Sequence, residues 1–109
     1  MANAPYEVNV TGTDDETFVW ALPFENDDGT AFPFADYEIE YVLTRNNQRV
    51  LLLTQSAGIT IDDPEVTFRG PSGPLAKGTY EHGCRVRHLA TGDIFQVFDG
   101  TVRVDEGHF

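Results

Sequence analysis

The sequence predicts an all-β protein, an antiparallel Greek-key sandwich of seven to nine strands, and three observations carry that reading. No window of a dozen residues repeats apolar positions at helical spacing without a Pro, a Gly or a β-branched cluster breaking it. Runs that alternate apolar and polar side chains recur along the whole chain instead. Turn-forming residues separate those runs at the intervals expected of a sandwich or barrel.

Taken in order, Tyr6 to Val10 alternates through Tyr6, Val8 and Val10, and Phe18 to Leu22 through Phe18, Trp20 and Leu22. Tyr37 to Arg45 alternates over nine residues, with Tyr37, Ile39, Tyr41 and Leu43 apolar and Glu38 and Glu40 between them. Val50 to Thr54, Ile59 to Ile61, Val66 to Arg69, Thr79 to Leu89 and Ile94 to Val104 complete the set. Asn46-Asn47 and Thr91-Gly92 tolerate positive φ and mark hairpins. Asn26 to Gly29 and Gly70 to Pro74 read as longer loops. The stretch from Phe24 to Asp36 is the longest irregular segment, and its three phenylalanines are expected to tuck it onto the sandwich. In the last strand Phe95 and Val97 share one parity while Val102 and Val104 share the other. A bulge at Asp99-Gly100 would reconcile them; the rival is an unbulged strand that buries Ile94, Phe98, Val102 and Val104 and points Gln96 inward.

At 109 residues the chain fits one domain, divided into an N-terminal strand or arm (1–16), a sandwich core (17–104) and a tail (105–109). The apolar fraction of 40% and aromatic fraction of 12% suit a globular core. Seven basic against eighteen acidic residues leave a net charge of −11, which repels a phosphate backbone and excludes nucleic acid as a partner. The longest unbroken apolar block, Val50 to Leu53, is far short of the ~18 residues of a membrane-spanning helix, so no membrane partner is expected. The N-terminus has no signal-peptide pattern, and the lone Cys84 cannot form an intrachain disulfide, so a reducing interior is expected.

Candidate chemistry is sparse. Ser56 and Ser72 are the only serines, and neither sits on a G-x-S-x-G elbow. Gly70 to Gly73 lacks the Gly-Lys-Ser/Thr of a phosphate loop. His82, Cys84 and His88 share a strand face and are zinc-type ligands, but His82 and His88 lie about 20 Å apart at ~3.3 Å per residue, so zinc is not expected. Acidic clusters at Asp14-Asp15-Glu16, Asp27-Asp28, Asp62-Asp63 and Asp105-Glu106 fail the calcium-loop spacing and read as solvated carboxylates. Asn9-Val10-Thr11 matches a glycosylation sequon by chance. Tyr6, Trp20, Tyr37 and Tyr41 are candidates for a carbohydrate platform, although Trp20 follows the pattern of a core residue. No catalytic residue, cofactor or metal site is expected, and the protein is read as non-enzymatic.

Several strands are apolar on both faces, whereas a two-layer sandwich has one inner face. Outward residues among Val42, Leu51, Leu52, Phe95 and Phe98 are therefore expected to form a partner interface, with the parity of Val50 to Leu53 left open. The alternative is that the loop from Phe24 to Asp36, or a closed barrel-like end, covers them.

The motif order adds a resemblance. Phe18-Val-Trp-Ala-Leu22, Asp28-Gly-Thr30, a long strand and tight hairpin ending in Arg49-Val-Leu-Leu-Leu-Thr54, Gly58-Ile-Thr-Ile61, Leu75-Ala-Lys-Gly-Thr-Tyr80, Thr91-Gly-Asp93 and Gly100-Thr-Val-Arg-Val104 follow one another between Thr17 and Val104. In that order they resemble small phage and prophage virion proteins akin to the N-terminal domain of baseplate upper proteins, although this chain is far more acidic. The resemblance implies an immunoglobulin-like sandwich and a structural or accessory role in the head, tail or baseplate of a particle. Its partners would be virion proteins or further copies of itself, in a virion assembled in the host cytoplasm. The alternative is a small ligand-binding β-sandwich module of a bacterial protein, for calcium or carbohydrate.

Overall fold

A computed structural model describes residues 6–26, 28–70 and 74–108. The expectations placed on Asp27 and on residues 71–73 lie outside that set. The chain forms two packed sheets, the predicted β-sandwich. Strands β1 (Tyr6–Glu7), β2 (Val10–Thr13), β4 (Tyr37–Arg45), β5 (Gln48–Thr54), β8 (Gly78–His88) and β9 (Ile94–Asp105) build the large sheet, in the order β1-β9-β8-β4-β5 with β2 also on β9. Strands β3 (Val19–Pro23), β6 (Ile59–Asp62) and β7 (Glu65–Arg69) build the small one, ordered β3-β7-β6. A 3-10 turn, Phe34–Asp36, precedes β4.

The two-residue period sets what is buried. Ile39, Tyr41 and Leu43 of β4, Tyr80, His82, Cys84 and Val86 of β8, and Phe98, Val102 and Val104 of β9 face Val66 and Phe68 of β7 and Ile59 of β6. The β4–β5 hairpin turns on Asn46 and Asn47, both at positive φ, as their amide side chains permit. Phe24, Phe32 and Phe34 pack on one another, with Phe24 buried, so the long loop is held to the end of the sandwich as expected.

Three expectations need correction. The ladder is not wholly antiparallel, because β1 and β2 pair parallel to β9. Residues 6–13 supply edge strands of the large sheet, and their backbone groups find partners there. The register shift in β9 falls at Val97, not at Asp99-Gly100: Cys84 opposes Phe98, and the next β8 residue, Arg85, opposes Gln96. The extra residue brings Phe95 opposite the inward Val86 and Gln96 opposite the outward Arg85, so neither the favoured bulge nor the unbulged rival holds. Finally, Phe98 is 0% exposed and belongs to the core, and Leu51 packs against the core, so neither can serve an outer interface.

The parity of β5 is settled by the same pairing: Leu51 and Leu53 face inward, while Leu52 is 44% exposed opposite Val42. Leu51→Asp would place a carboxylate against the core and should lower the melting temperature by ten degrees or more or unfold the domain. Leu52→Asp should leave the fold within about 1 kcal/mol of the parent, read by thermal melts followed by circular dichroism.

Candidate functional site

At the end of the sandwich where β9 begins, the small sheet stops short of the large one. The inner floor there is Val86 and Phe98, both buried, and one wall is Leu22, Phe24 and Phe32. Tyr37 stacks at 5.2 Å on Phe32 and meets the His88 ring edge-on at 5.0 Å, which fixes the wall's upper corner. Phe95, facing inward by register yet 47% exposed, and Tyr6 and Val8 close the other side. The result is a cleft of about 570 Å³, apolar within and bordered by Glu7, Glu25, Asn26 and Gln96. No cation lines it among the described residues, so it suits a neutral or positively charged ligand with apolar groups.

A second depression, about 700 Å³, lies on the outer face of the large sheet. Val42, Leu52, Ile94 and Phe95 line it, which bears on the apolar face expected from the sequence, together with Arg49 and an Arg85–Glu40 ion pair at 2.9 Å. Phe95 and Gln96 border both depressions. The outer depression has few rings and its charged walls are partly committed to each other, so the cleft is the better-formed site.

Beside the cleft runs a buried polar chain. Val8 carbonyl can only accept, so the His82 Nε2–H donates to it at 2.6 Å. Nδ1 is then the acceptor, and the Tyr41 hydroxyl donates to it at 2.7 Å. Gly100 makes this possible: it opposes His82 on β9, and a side chain there would run into the Val8 carbonyl. The Trp20 indole N–H is buried without a hydrogen bond, though it lies near enough to the Tyr41 hydroxyl to favour that group's ionised form. Burial dominates and pushes the Tyr41 hydroxyl well above its ordinary value. Burial likewise holds His82 below the usual imidazole range, opposed by the Val8 carbonyl and by Asp99.

The remaining candidates are structural. His82 and Cys84 share the inner face as expected, with the Cys84 thiol pushed up by burial and hence neutral, and His88 sits at the strand end. No three metal-capable side chains converge among the described residues. Asp14 accepts from the Gly107 N–H and Asp15 from the His108 N–H, so this acidic turn fastens the C-terminal segment. Asp28 accepts from the Thr30 N–H and hydroxyl, which draw its carboxyl below the usual range. Asn9 accepts from the Thr101 N–H and hydroxyl, so its side chain serves the β2–β9 edge. Of the carbohydrate candidates, Tyr41 is fully buried and Trp20 packs at 4.9 Å on Phe68, while Tyr6 and Tyr37 line the cleft. The ring cluster at the cleft and the His82 chain were not singled out as sites from the sequence. Phe32-Pro-Phe34 and the His82/Gly100 pairing were their signals, and both depend on which strands are neighbours.

No family model matches the chain, and no curated protein matches it. The fold is similar to that of CopC from Methylosinus trichosporium OB3b, with a TM-score of 0.53 and 19% identity over 92% of this chain and 87% of that one. At that identity the likeness shows the β-sandwich. It also overturns the resemblance to phage and prophage virion proteins: the sandwich is similar to that of CopC, and no family model supports a baseplate relative. The structural role in a phage particle and the virion location rested on that resemblance and are withdrawn with it. Short motifs such as Gly78-Thr-Tyr80 mark strand starts in any sandwich, which is why their order misled.

The buried chain generates a test. Tyr41→Phe leaves His82 Nδ1 without its donor and should cost about 1–3 kcal/mol in denaturant unfolding. Because the folded pKa of His82 lies below the unfolded ~6.5, its contribution is fully present above pH ~6.5 and is lost as pH falls through that value toward the folded one. The melting temperature should therefore fall as the pH drops below about 6.5, and His82→Gln should flatten that fall.

Proposed function

We propose that the protein is a small ligand-binding β-sandwich module, and that the ligand occupies the aromatic cleft beside the start of β9. The observation that carries the proposal is the cleft itself: half-exposed rings on a buried apolar floor with carboxylate and amide groups only at the rim. Its volume suits one drug-sized ligand, and such a combination of apolar walls with few polar groups is what small-molecule sites share. The side chains within it are held in place by ring packing, so little ordering is required on binding.

The groups available favour a binding role over a catalytic one. The Cys84 thiol is buried and neutral, both nitrogens of His82 are engaged, and the carboxylates at the cleft, Glu7 and Glu25, stand exposed at its rim, which supports binding over catalysis. Calcium is the less supported ligand, because Asp14, Asp15 and Asp28 already satisfy backbone donors and no cluster of three metal-capable groups forms among the described residues.

Nile red, a neutral apolar fluorophore, should bind the native protein with a blue-shifted emission. Phe95→Ala should weaken that binding roughly tenfold, the ~1.4 kcal/mol expected from losing about 55 Å² of apolar contact, while the folded baseline and melting temperature stay close to those of the parent. Loss of no affinity in Phe95→Ala, or binding that appears only as the protein melts, would remove the cleft as the site.

A further inference from the structure

The cleft combines aromatic rings with carboxylates and lacks lysine and arginine. Phe24, Phe32, Tyr37, Phe95 and Phe98 supply rings to its walls and floor. All seven lysines and arginines of the chain fall within the described residues, and none of them lines the cleft. Arg85, Arg87 and Arg103 are paired with Glu40, Glu38 and Asp105, and Arg45 sits over the Tyr80 ring at 5.3 Å. Among the described residues the charged groups that border the cleft are Glu7 and Glu25, both exposed. An aromatic ring carries negative potential on its faces and attracts a cation within about 6 Å of its centre. In the cleft that attraction acts over the buried floor of Val86 and Phe98, where little water competes, on a chain of net charge −11.

Resting on the cleft as the binding site, we infer that its ligand is a small organic monocation, a quaternary ammonium group carried on an apolar body. The class follows from what the cleft offers. A metal ion or a primary ammonium holds its water tightly, and replacing that water takes a set of oxygen ligands. No three metal-capable side chains converge among the described residues. A quaternary ammonium spreads its charge over methyl groups and donates no hydrogen bond, so it loses less on entering an apolar recess and gains the ring faces. The rim carboxylates stay hydrated and act on its charge at a distance, an attraction that salt screens. The cleft's volume of about 570 Å³ takes the apolar body as well.

The test uses the full chain and three ligands of similar size: phenyltrimethylammonium, its neutral isostere tert-butylbenzene, and the anion benzenesulfonate. At low salt the cation should displace Nile red with roughly threefold or more the affinity of tert-butylbenzene, and benzenesulfonate should not displace it. Raising the salt to about 0.5 M should narrow the gap between cation and isostere. Phe95→Leu keeps an apolar side chain but removes a ring, so it should weaken the cation about threefold and leave tert-butylbenzene nearly unchanged. Glu7→Gln combined with Glu25→Gln should weaken the cation about threefold at low salt and spare the isostere. Equal or tighter binding of tert-butylbenzene, or equal losses of both ligands in Phe95→Leu, would overturn the inference. So would cation binding that leaves Nile red in place. Tighter binding of a trimethyl-lysine peptide than of the free cation would overturn a small molecule as the occupant. Nile red and tert-butylbenzene binding with no preference for the cation overturns the cation alone; absence of all binding overturns the cleft as well.

Discussion

The hydrogen-bond chain from the Tyr41 hydroxyl through His82 to the Val8 carbonyl is the constraint on which the rest of the sandwich depends. It joins three segments that the sequence separates by dozens of residues: β4, β8 and the junction between β1 and β2. The rings around it make up the centre of the core. Trp20 from the small sheet packs at 5.9 Å from Tyr41, 5.5 Å from His82 and 5.6 Å from Phe98, so the polar chain and the apolar packing fix each other. A buried imidazole with a single workable tautomer is costly if any partner shifts, and that cost specifies how the N-terminal strands dock.

That docking positions the cleft. Val8 is held to His82 on one side and donates its N–H to the Asp99 carbonyl at 2.8 Å on the other, so Tyr6 and Glu7 lie along β9 at the cleft's border. The opposite wall is independent of it and rests on the phenylalanine cluster. A β-sandwich with one end closed by loop aromatics and the other side bounded by a pinned edge strand leaves a recess where neither reaches. The recess exists because β3 ends at Pro23 and the chain then leaves the small sheet, while β4, β8 and β9 stay paired beneath as far as Tyr37, His88 and Ile94.

Much of the fold was legible in the residues themselves. The alternation of Ile39, Tyr41 and Leu43, and of Tyr80, His82, Cys84 and Val86, reports one buried face directly. What stayed hidden are properties of pairs of strands. In β9 both parities are apolar, so nothing local distinguishes a bulge at Val97 from one at Gly100; the decision is made by Cys84 and Val86 across the ladder. Gly100 looked like a bulge residue, but its lack of a side chain serves the Val8 carbonyl, a contact between residues 92 positions apart. Leu51 and Leu52 were equivalent for the same reason, until Leu43 and Val42 took them to opposite faces. The cleft was beyond reach because its rings come from separate segments, and nothing local shows that the fold brings them together. The virion assignment laid over the expected apolar patch came from motif order, which strand geometry alone can produce.

The parallel pairing of β1 and β2 with β9 has a mechanical meaning. Residue 6 lies beside residue 98 and residue 13 beside residue 105, so the two ends of the described chain leave the same edge in opposite directions. A pull on those ends slides β2 along β9 and loads all of their hydrogen bonds at once, instead of opening them one after another as peeling a hairpin would. Under tension the first barrier is thus the rupture of this terminal pair together with the His82 anchor. The domain's lifetime under load would be set by that clamp and could change with little effect on the equilibrium stability of the core.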